Sequence, residues 1–113
     1  MDAETLKGHL DLLLLAAVET GGQHGYAIID QLRRRSRGTF DLAEGTVYPA
    51  LHRLEHKGWI ASEWKTSEVG PRLRVYRLTQ AGRRQLMSER SRWERLTTAI
   101  AGILNPTEKE NVP

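Results

Sequence analysis

The sequence contains no cysteine among its 113 residues. This absence excludes a disulfide framework, catalysis by a thiol, a thiolate zinc site and a thiol redox sensor. Long hydrophobic runs are also missing, because the longest strongly apolar run, Leu12 to Val18, is too short to span a bilayer. Acidic Asp2 and Glu4 stand where a signal peptide would be basic. We therefore expect a cytoplasmic protein that is neither exported nor inserted into a membrane.

The sequence carries few signals of enzyme chemistry. It has no glycine-rich phosphate loop, nucleophile elbow or paired-carboxylate arrangement. The run His52-Arg53-Leu54-Glu55-His56 does match the HxxEH pattern of inverted zinc proteases. A zinc enzyme also needs a third ligand and a cleft, and His9 and His24 lie far away in the sequence. We expect no catalysis, no metal and no cofactor.

Composition and charge indicate one folded domain with a basic surface. Apolar residues make up 39% and charged residues 27% of the chain, close to the averages for folded domains. The net charge is +3, and residues 72–95 hold eight Arg against Glu89 and Glu94. A second Arg block lies within residues 33–37. This asymmetry favours a nucleic acid as partner, and the small size of the domain favours a dimer.

The spacing of apolar residues predicts three helices, two short strands and a final long helix. Gly21-Gly22 ends the first helix, Gly58 suits a left-handed position after the third, and Thr79 is a good N-cap for the last. Pro49 is expected within the first turn or so of the third helix, where its missing N–H is harmless. The predicted ranges are helices over 4–19 and 26–36, a helix from Gly45 or Thr46 to Lys57, strands over 59–66 and 73–78, and a helix over 79–105.

Three helices followed by a two-stranded ribbon is the order of elements in a winged helix-turn-helix. The predicted fold class is therefore mainly α with a small β-hairpin wing and a long C-terminal helix. We assign residues 1–78 to a DNA-binding domain, residues 79–105 to a dimerisation helix and residues 106–113 to a flexible tail.

The third helix carries a run that resembles the signature of PadR-type transcriptional regulators. This run is Gly45-Thr46-Val47-Tyr48-Pro49-Ala50-Leu51, and it continues through residues 53–55 and 58–60. Residues 24–28 resemble the start of the family's second helix, and residues 70–82 resemble its wing and the beginning of its last helix. The resemblance covers roughly residues 6–104 and implies the compact branch of the family, although Leu73 and Val75 depart from its usual wing.

Candidate DNA contacts lie on the face of the third helix away from the stripe of Val47, Leu51 and Leu54. The start of the second helix offers N–H groups to phosphate, and the wing offers Arg side chains to phosphates or a minor groove. The candidates are Gly25, Tyr26, Thr46, Tyr48, Pro49, His52, Arg53, Arg72 and Arg74. The alternatives are that Tyr48 packs, that Tyr26 fills the core and that Arg53, Arg72 or Arg74 is merely solvated.

The last helix has apolar residues at a near-heptad spacing, which predicts a dimer interface that also packs on the first helix. The candidate interface residues are Leu6, Leu10, Leu86, Trp93, Leu96, Ile100 and Ile103. Trp93 resembles in position a tryptophan of multidrug-sensing family members that stacks on flat aromatic ligands at the dimer centre. The alternative is that Trp93 is a large interface anchor.

The resemblance implies a homodimeric, sequence-specific transcriptional regulator, here a repressor that a small aromatic effector releases from DNA. Two recognition helices would enter successive major grooves about 34 Å apart on a pseudo-palindromic operator. The alternative function is a winged-helix protein-interaction module that does not bind DNA. That alternative predicts an acidic or apolar outer face on the third helix, whereas Thr46, His52, Arg53 and Lys57 lie there.

Overall fold

The computed structural model describes residues 6, 8–20, 23–66, 68 and 70–106. Within these residues the fold is mainly α with an antiparallel hairpin and a long last helix, which confirms the predicted fold class. No helix in this part of the chain is long and apolar enough to cross a membrane. The elements in order are α1 (Leu10–Glu19), β1 (Gln23–His24), α2 (Gly25–Arg35), α3 (Glu44–His56), β2 (Ile60–Lys65), β3 (Leu73–Leu78) and α4 (Gln80–Leu104).

The predicted first helix is interrupted by a turn just before Leu10, where α1 begins. Gly8 and His9 form a turn in which the His9 N–H donates to the Leu6 carbonyl at 2.9 Å, and the helix starts at Leu10. Glycine is a poor helix former, which explains a break at this position. The predicted start at Glu4, the Gly21-Gly22 stop and residues 107–113 of the predicted tail lie outside the described residues.

Helix α3 ends in a Schellman motif, as the glycine after it predicts. Gly58 has a φ of 79°, and its N–H donates to the Glu55 carbonyl at 3.0 Å. The Trp59 N–H donates to the Leu54 carbonyl at 3.1 Å, which completes the motif and turns the chain into β2.

Pro49 lies in the second turn of α3 rather than the first, because the helix already begins at Glu44. Its ring nitrogen cannot donate to the Gly45 carbonyl one turn earlier. Gly45 is exposed, so solvent can reach that part of the helix. The cost of the proline is therefore reduced at this position.

The hairpin of β2 and β3 pairs Ile60 with Leu78 at its base and Lys65 with Leu73 at its tip. Strand β1 joins the other edge of β3, where His24 pairs with Val75, so the sheet order is β1-β3-β2. The sequence prediction missed β1, because a strand of two residues is too short to show an alternating pattern.

The core lies between α1, α2, α3 and one face of the hairpin. Helix α1 supplies the most deeply buried group, and the hydrophobic stripe of α3 packs on it, as the periodicity predicts. The fully buried large side chains are Leu14, Leu15, Val18, Ile28, Val47, Leu51, Leu54, Ile60 and Leu86.

The start of α4 is anchored to the turn after α3. The Thr79 hydroxyl accepts from the Gly82 N–H at 3.0 Å, which confirms the predicted N-cap, and donates to the Gly58 carbonyl at 2.6 Å. The backbone of Gly82 approaches Trp59 so closely that a Cβ on Gly82 would lie 1.8 Å from the Trp59 carbonyl oxygen. Only glycine permits this contact, which fixes the direction in which α4 leaves the domain.

A charged network ties α3 to the hairpin. The Glu55 carboxylate accepts from the Ser62 hydroxyl at 2.6 Å and from the Arg74 guanidinium at 3.1 Å, and Arg74 also donates to Ser62 at 2.8 Å. The hydrogen bond from Ser62 and the charge of Arg74 hold the pKa of Glu55 below its ordinary value of 4.5. The ionised carboxylate thus stabilises the contact between the helix and the hairpin.

Gly82→Ala will lower the free energy of unfolding by about 1–3 kcal/mol, because the added methyl group has no space beside Trp59. Gly102→Ala is the matched control, since nothing lies within 4 Å of a Cβ at that helical position. There we expect a gain of about 0.5–1 kcal/mol from helix propensity. Equal effects of the two substitutions in urea titrations would contradict the close approach.

Glu55→Gln will lower the free energy of unfolding by about 1–2 kcal/mol at neutral pH, because it removes the charge-assisted bonds to Ser62 and Arg74. Since folding lowers the pKa of Glu55, its stabilisation is present above pH 4.5 and is lost as the pH falls through the lowered pKa. The variant will therefore lose part of the acid dependence of stability. Glu63→Gln, on the exposed side of the same hairpin, will keep that dependence in chemical denaturation across pH.

Candidate nucleic-acid interface

The outer face of α3 carries the predicted recognition residues. Val47, Leu51 and Leu54 are buried against the core, which confirms the predicted buried stripe. Ala50 is buried with them, whereas Tyr48, Pro49, His52 and Arg53 face solvent, and Tyr48 is 41% exposed. From the start of α3 to Arg53, the exposed side chains are Glu44, Thr46, Tyr48, Pro49, His52 and Arg53.

Gly25 brings the start of α2 against Tyr48. A Cβ on Gly25 would lie 2.4 Å from Cε1 of the Tyr48 ring, so only a glycine lets the ring sit there. Gly25 is buried, and the structure gives it a packing role. The predicted donation of its N–H to phosphate stays a prediction.

Tyr26 is 63% exposed, so the alternative that it fills the core is wrong. It stands in the first turn of α2, and His24 caps this turn by accepting the Ala27 N–H on Nδ1 at 3.2 Å. Tyr26 and Tyr48 line the same groove.

Arg53 does not line this groove and contacts α1 instead. Its guanidinium donates to the Asp11 carboxylate of α1 at 2.8 Å, with about half of the side chain exposed. The ion pair ties α3 to α1, so Arg53 is not merely a solvated cation. A phosphate contact by Arg53 stays a prediction, and it would have to compete with Asp11.

The two wing arginines differ in their partners. Arg74 is held by Glu55 and Ser62, which makes it a support of the hairpin rather than an uncommitted cation. Arg72 is exposed and makes no ion pair with any described residue. Of the two candidates, Arg72 is therefore the one whose charge is available to a polyanion.

These elements together line a groove of about 570 Å³ between the start of α2, the start of α3 and the hairpin. Four aromatic rings and two arginines face it, a composition that suits both the sugar-phosphate backbone and base edges. The lining residues are His24, Gly25, Tyr26, Tyr48, Trp64, Arg72, Leu73, Arg74 and Tyr76. Burial raises the pKa of the Tyr76 hydroxyl at the floor of the groove, so it is a neutral donor at physiological pH.

Trp64 is a member of this surface that the sequence reasoning missed. Its ring is 54% exposed and lies in register with Arg74 on the neighbouring strand. The Arg72 and Arg74 guanidinium carbons lie 5.3 Å and 5.6 Å from the ring centre. The sequence signal was the spacing of two residues between Ser62 and Trp64 and between Arg72 and Arg74. Residues two apart in a strand share a face, and the register of the hairpin places both pairs on the same face.

The HxxEH pattern does not form a metal site in the described part of the chain. Glu55 is committed to Ser62 and Arg74, while His52 and His56 are exposed on the helix. No group of three His, Cys, Asp or Glu side chains able to hold a metal ion occurs among the described residues.

Helix α4 divides the predicted dimer residues into two sets. Leu6, Leu10 and Leu86 are buried in the core of the single chain, so the expectation that they contribute to the dimer interface needs correction. The physical reason is that the start of α4 packs on α1 of the same chain. The remaining predicted interface residues are exposed and lie farther along the helix: Trp93, Leu96, Ile100 and Ile103.

Trp93 is 42% exposed and meets the His9 ring edge to face, with the ring centres 5.1 Å apart. A small cleft of about 80 Å³ between α1 and α4 adjoins this pair and is also lined by Leu12, Arg92 and Leu96. Trp93 thus stands at the junction between the domain and the exposed part of α4.

Comparison with solved structures shows the same architecture in regulators from two bacteria. A PadR-like transcriptional regulator from Bacillus cereus superposes with a TM-score of 0.81 at 26% identity, covering 93% of this chain and all of that one. A PadR family transcription regulator from Clostridium difficile superposes with a TM-score of 0.75 at 31% identity, covering 87% of this chain and all of that one.

Sequence comparison gives the same family. The transcriptional regulator Rv3488 of Mycobacterium tuberculosis is 39% identical over 79 residues, which is 70% of each chain. Residues 14–88, which include α2, α3 and the hairpin, match the model of the transcriptional regulator PadR-like family. The chain therefore belongs to the PadR-like family of DNA-binding transcriptional regulators.

Proposed function

We propose that this protein is a homodimeric, sequence-specific transcriptional repressor that reads operator DNA with α3 and uses the hairpin as its wing. The observation that carries the proposal is the exposed outer face of α3 with Thr46, Tyr48 and His52, together with Arg72, which lines the same groove as Tyr48. The proposal also places the DNA-binding unit at residues 1–78, the dimerisation helix at 79–105 and the protein in the cytoplasm.

The chemistry of this face suits duplex DNA. Hydroxyl and imidazole groups exchange hydrogen bonds with base edges in the major groove, and the Pro49 ring can pack on a thymine methyl group. Arg72 on the hairpin is suited to the phosphates or to a minor groove. Together these groups combine base readout with backbone positioning, which a sequence-specific regulator needs.

The alternative of a protein-interaction module has less support. It requires an acidic or apolar outer face on α3, whereas the exposed residues there include Thr46, His52, Arg53 and His56 beside the acidic Glu44. Arg72 and the Arg-rich α4 add positive charge, which favours a polyanion as partner.

The homodimer rests on the exposed apolar face of α4. Trp93, Leu96, Ile100 and Ile103 line one side of a helix that extends beyond the rest of the domain. Exposed apolar surface of this kind marks an interaction site, and a second copy of the same helix has the complementary spacing. In a dimer the two α3 helices would lie on the same side of the molecule and enter successive major grooves.

The effector in this proposal is a small, flat aromatic molecule that stacks on Trp93 near the dimer centre. The indole is half exposed and has a small cleft beside it, so an aromatic face is available for stacking. A ligand that favours one arrangement of α4 relative to α1 would change the spacing of the two α3 helices and release DNA.

Combined Thr46→Ala and His52→Ala substitutions will weaken binding to duplex from the region upstream of the protein's own gene by about tenfold or more. The same substitutions will hardly change binding to a shuffled duplex, because phosphate contacts remain. Fluorescence anisotropy with both duplexes measures the two affinities.

His56→Ala is the matched control for this experiment. It removes the same side chain from the same helix one turn farther from the groove and is expected to leave discrimination between the duplexes intact. Equal weak binding of the wild-type protein to both duplexes would count against sequence-specific recognition and favour the protein-interaction module.

Ile100→Asp will convert the dimer to a monomer, because a carboxylate cannot be desolvated in an apolar helix interface. Thr98→Asp places the same charge on the polar side of α4 and will leave the dimer intact. Sedimentation equilibrium gives the mass of each species. A monomeric wild-type protein at micromolar concentration would refute the homodimer.

A further inference from the structure

The hairpin holds two arginines on one tryptophan. The guanidinium carbons of Arg72 and Arg74 lie 5.3 Å and 5.6 Å from the centre of the Trp64 ring, inside the range of a cation–π contact. Trp64 is in register with Arg74 across the antiparallel pair. Arg74 in β3 and Arg72, which immediately precedes β3, therefore each place a cation over the Trp64 ring.

Two cations near one ring repel each other unless one of them is neutralised. Glu55 performs this neutralisation, because its carboxylate pairs with Arg74 at 3.1 Å and Ser62 holds the Arg74 Nε at 2.8 Å. The low pKa of Glu55 keeps this carboxylate ionised at physiological pH. Arg74 is thus part of the frame that fixes the hairpin on α3.

Arg72 contacts the Trp64 ring but pairs with no carboxylate of the described residues. Its side chain is exposed and forms no ion pair with any residue in the described ranges, so its positive charge stays available on the groove side of the hairpin. An unsupported arginine at a hairpin tip samples many rotamers, and ordering them opposes binding. Stacking on Trp64 restricts those rotamers before any ligand arrives.

We propose that Trp64 is a positioning residue for DNA binding, whose indole holds the Arg72 guanidinium toward a phosphate of duplex DNA while Glu55 withdraws Arg74 from that contact. This inference rests on the proposed DNA-binding function. It assigns the wing one phosphate-binding cation per chain rather than two. It also predicts that Trp64 acts through Arg72 and makes no independent energetic contribution to the complex.

A double-mutant cycle on the full-length protein tests this assignment. We expect Trp64→Leu to weaken binding to a short duplex from the region upstream of the protein's own gene by about threefold, as for an exposed cation–π contact. Arg72→Ala will weaken it by about tenfold, because it also removes a phosphate contact. Trp64→Leu in the Arg72→Ala background will cause no further loss, because the cation that it positions is already gone. Trp64→Tyr, which keeps an aromatic ring, will restore most of the affinity.

The salt dependence of affinity separates charge from positioning. Arg72→Ala will reduce the slope of log affinity against log salt by about one unit for each bound wing. Arg72→Lys keeps the charge but loses the planar stacking group, so it will keep the slope and weaken binding by about threefold, as Trp64→Leu does. Arg77→Ala is the matched control, because it removes the same charge from the opposite face of β3 and will leave affinity nearly unchanged.

The outcomes distinguish this inference from the proposed function. Additive losses from Trp64→Leu and Arg72→Ala would show that Trp64 acts independently of Arg72 and would overturn the inference alone. If thermal melts show that the Trp64→Leu variant is unfolded, the Arg72→Lys variant alone decides. An affinity of Arg72→Lys equal to that of the wild type would overturn the positioning role of Trp64. Failure of the wild-type protein to bind duplex DNA would refute the proposed function and this inference together.

Discussion

Burial of α1 at the centre of the molecule is the constraint on which the other elements depend. Leu14 and Leu15 are completely buried, and α1 packs against α2, α3, β3 and α4. Each fully buried leucine contributes about 1.5–3 kcal/mol of hydrophobic stabilisation. Because one short helix touches both the proposed recognition helix and the proposed dimerisation helix, displacement of α1 would alter the relation between them. The ion pair from Asp11 to Arg53 and the one from Glu19 to Arg90 connect its two ends to those helices.

A second constraint is the way in which the hairpin is fixed on α3. The Schellman turn at Gly58 directs the chain into β2, and the cap at Thr79 returns it to α4 over the same turn. Glu55 then joins the helix to both strands through Ser62 and Arg74. The helix and the wing consequently form one surface with a fixed spacing. Such a spacing is needed when a helix enters one groove of DNA and a β-ribbon contacts another.

Much of the fold was predictable from local patterns. The period of Val47, Leu51 and Leu54 determined which face of α3 is buried, Gly58 determined where the helix ends, and Thr79 determined where α4 begins. Other features needed the folded chain. The two-residue strand β1 exists only because β3 offers it a partner edge, and the break at Gly8 shortens a helix whose apolar spacing continues through it.

The sequence by itself determined the order of the helices and the hairpin, the buried stripes and the family signature, because each depends on residues close together in the chain. The tertiary structure alone decided which charged and aromatic residues are committed to internal partners. Arg53 and Arg74 look like Arg72 in the sequence, but Asp11 lies 42 residues from Arg53 and Glu55 lies 19 residues from Arg74. Leu86 and Ile100 likewise share one spacing along α4, and only the packing of its first turns on the domain buries the former and leaves the latter exposed. Side-chain partnership across such separations follows from folding and has no local signal.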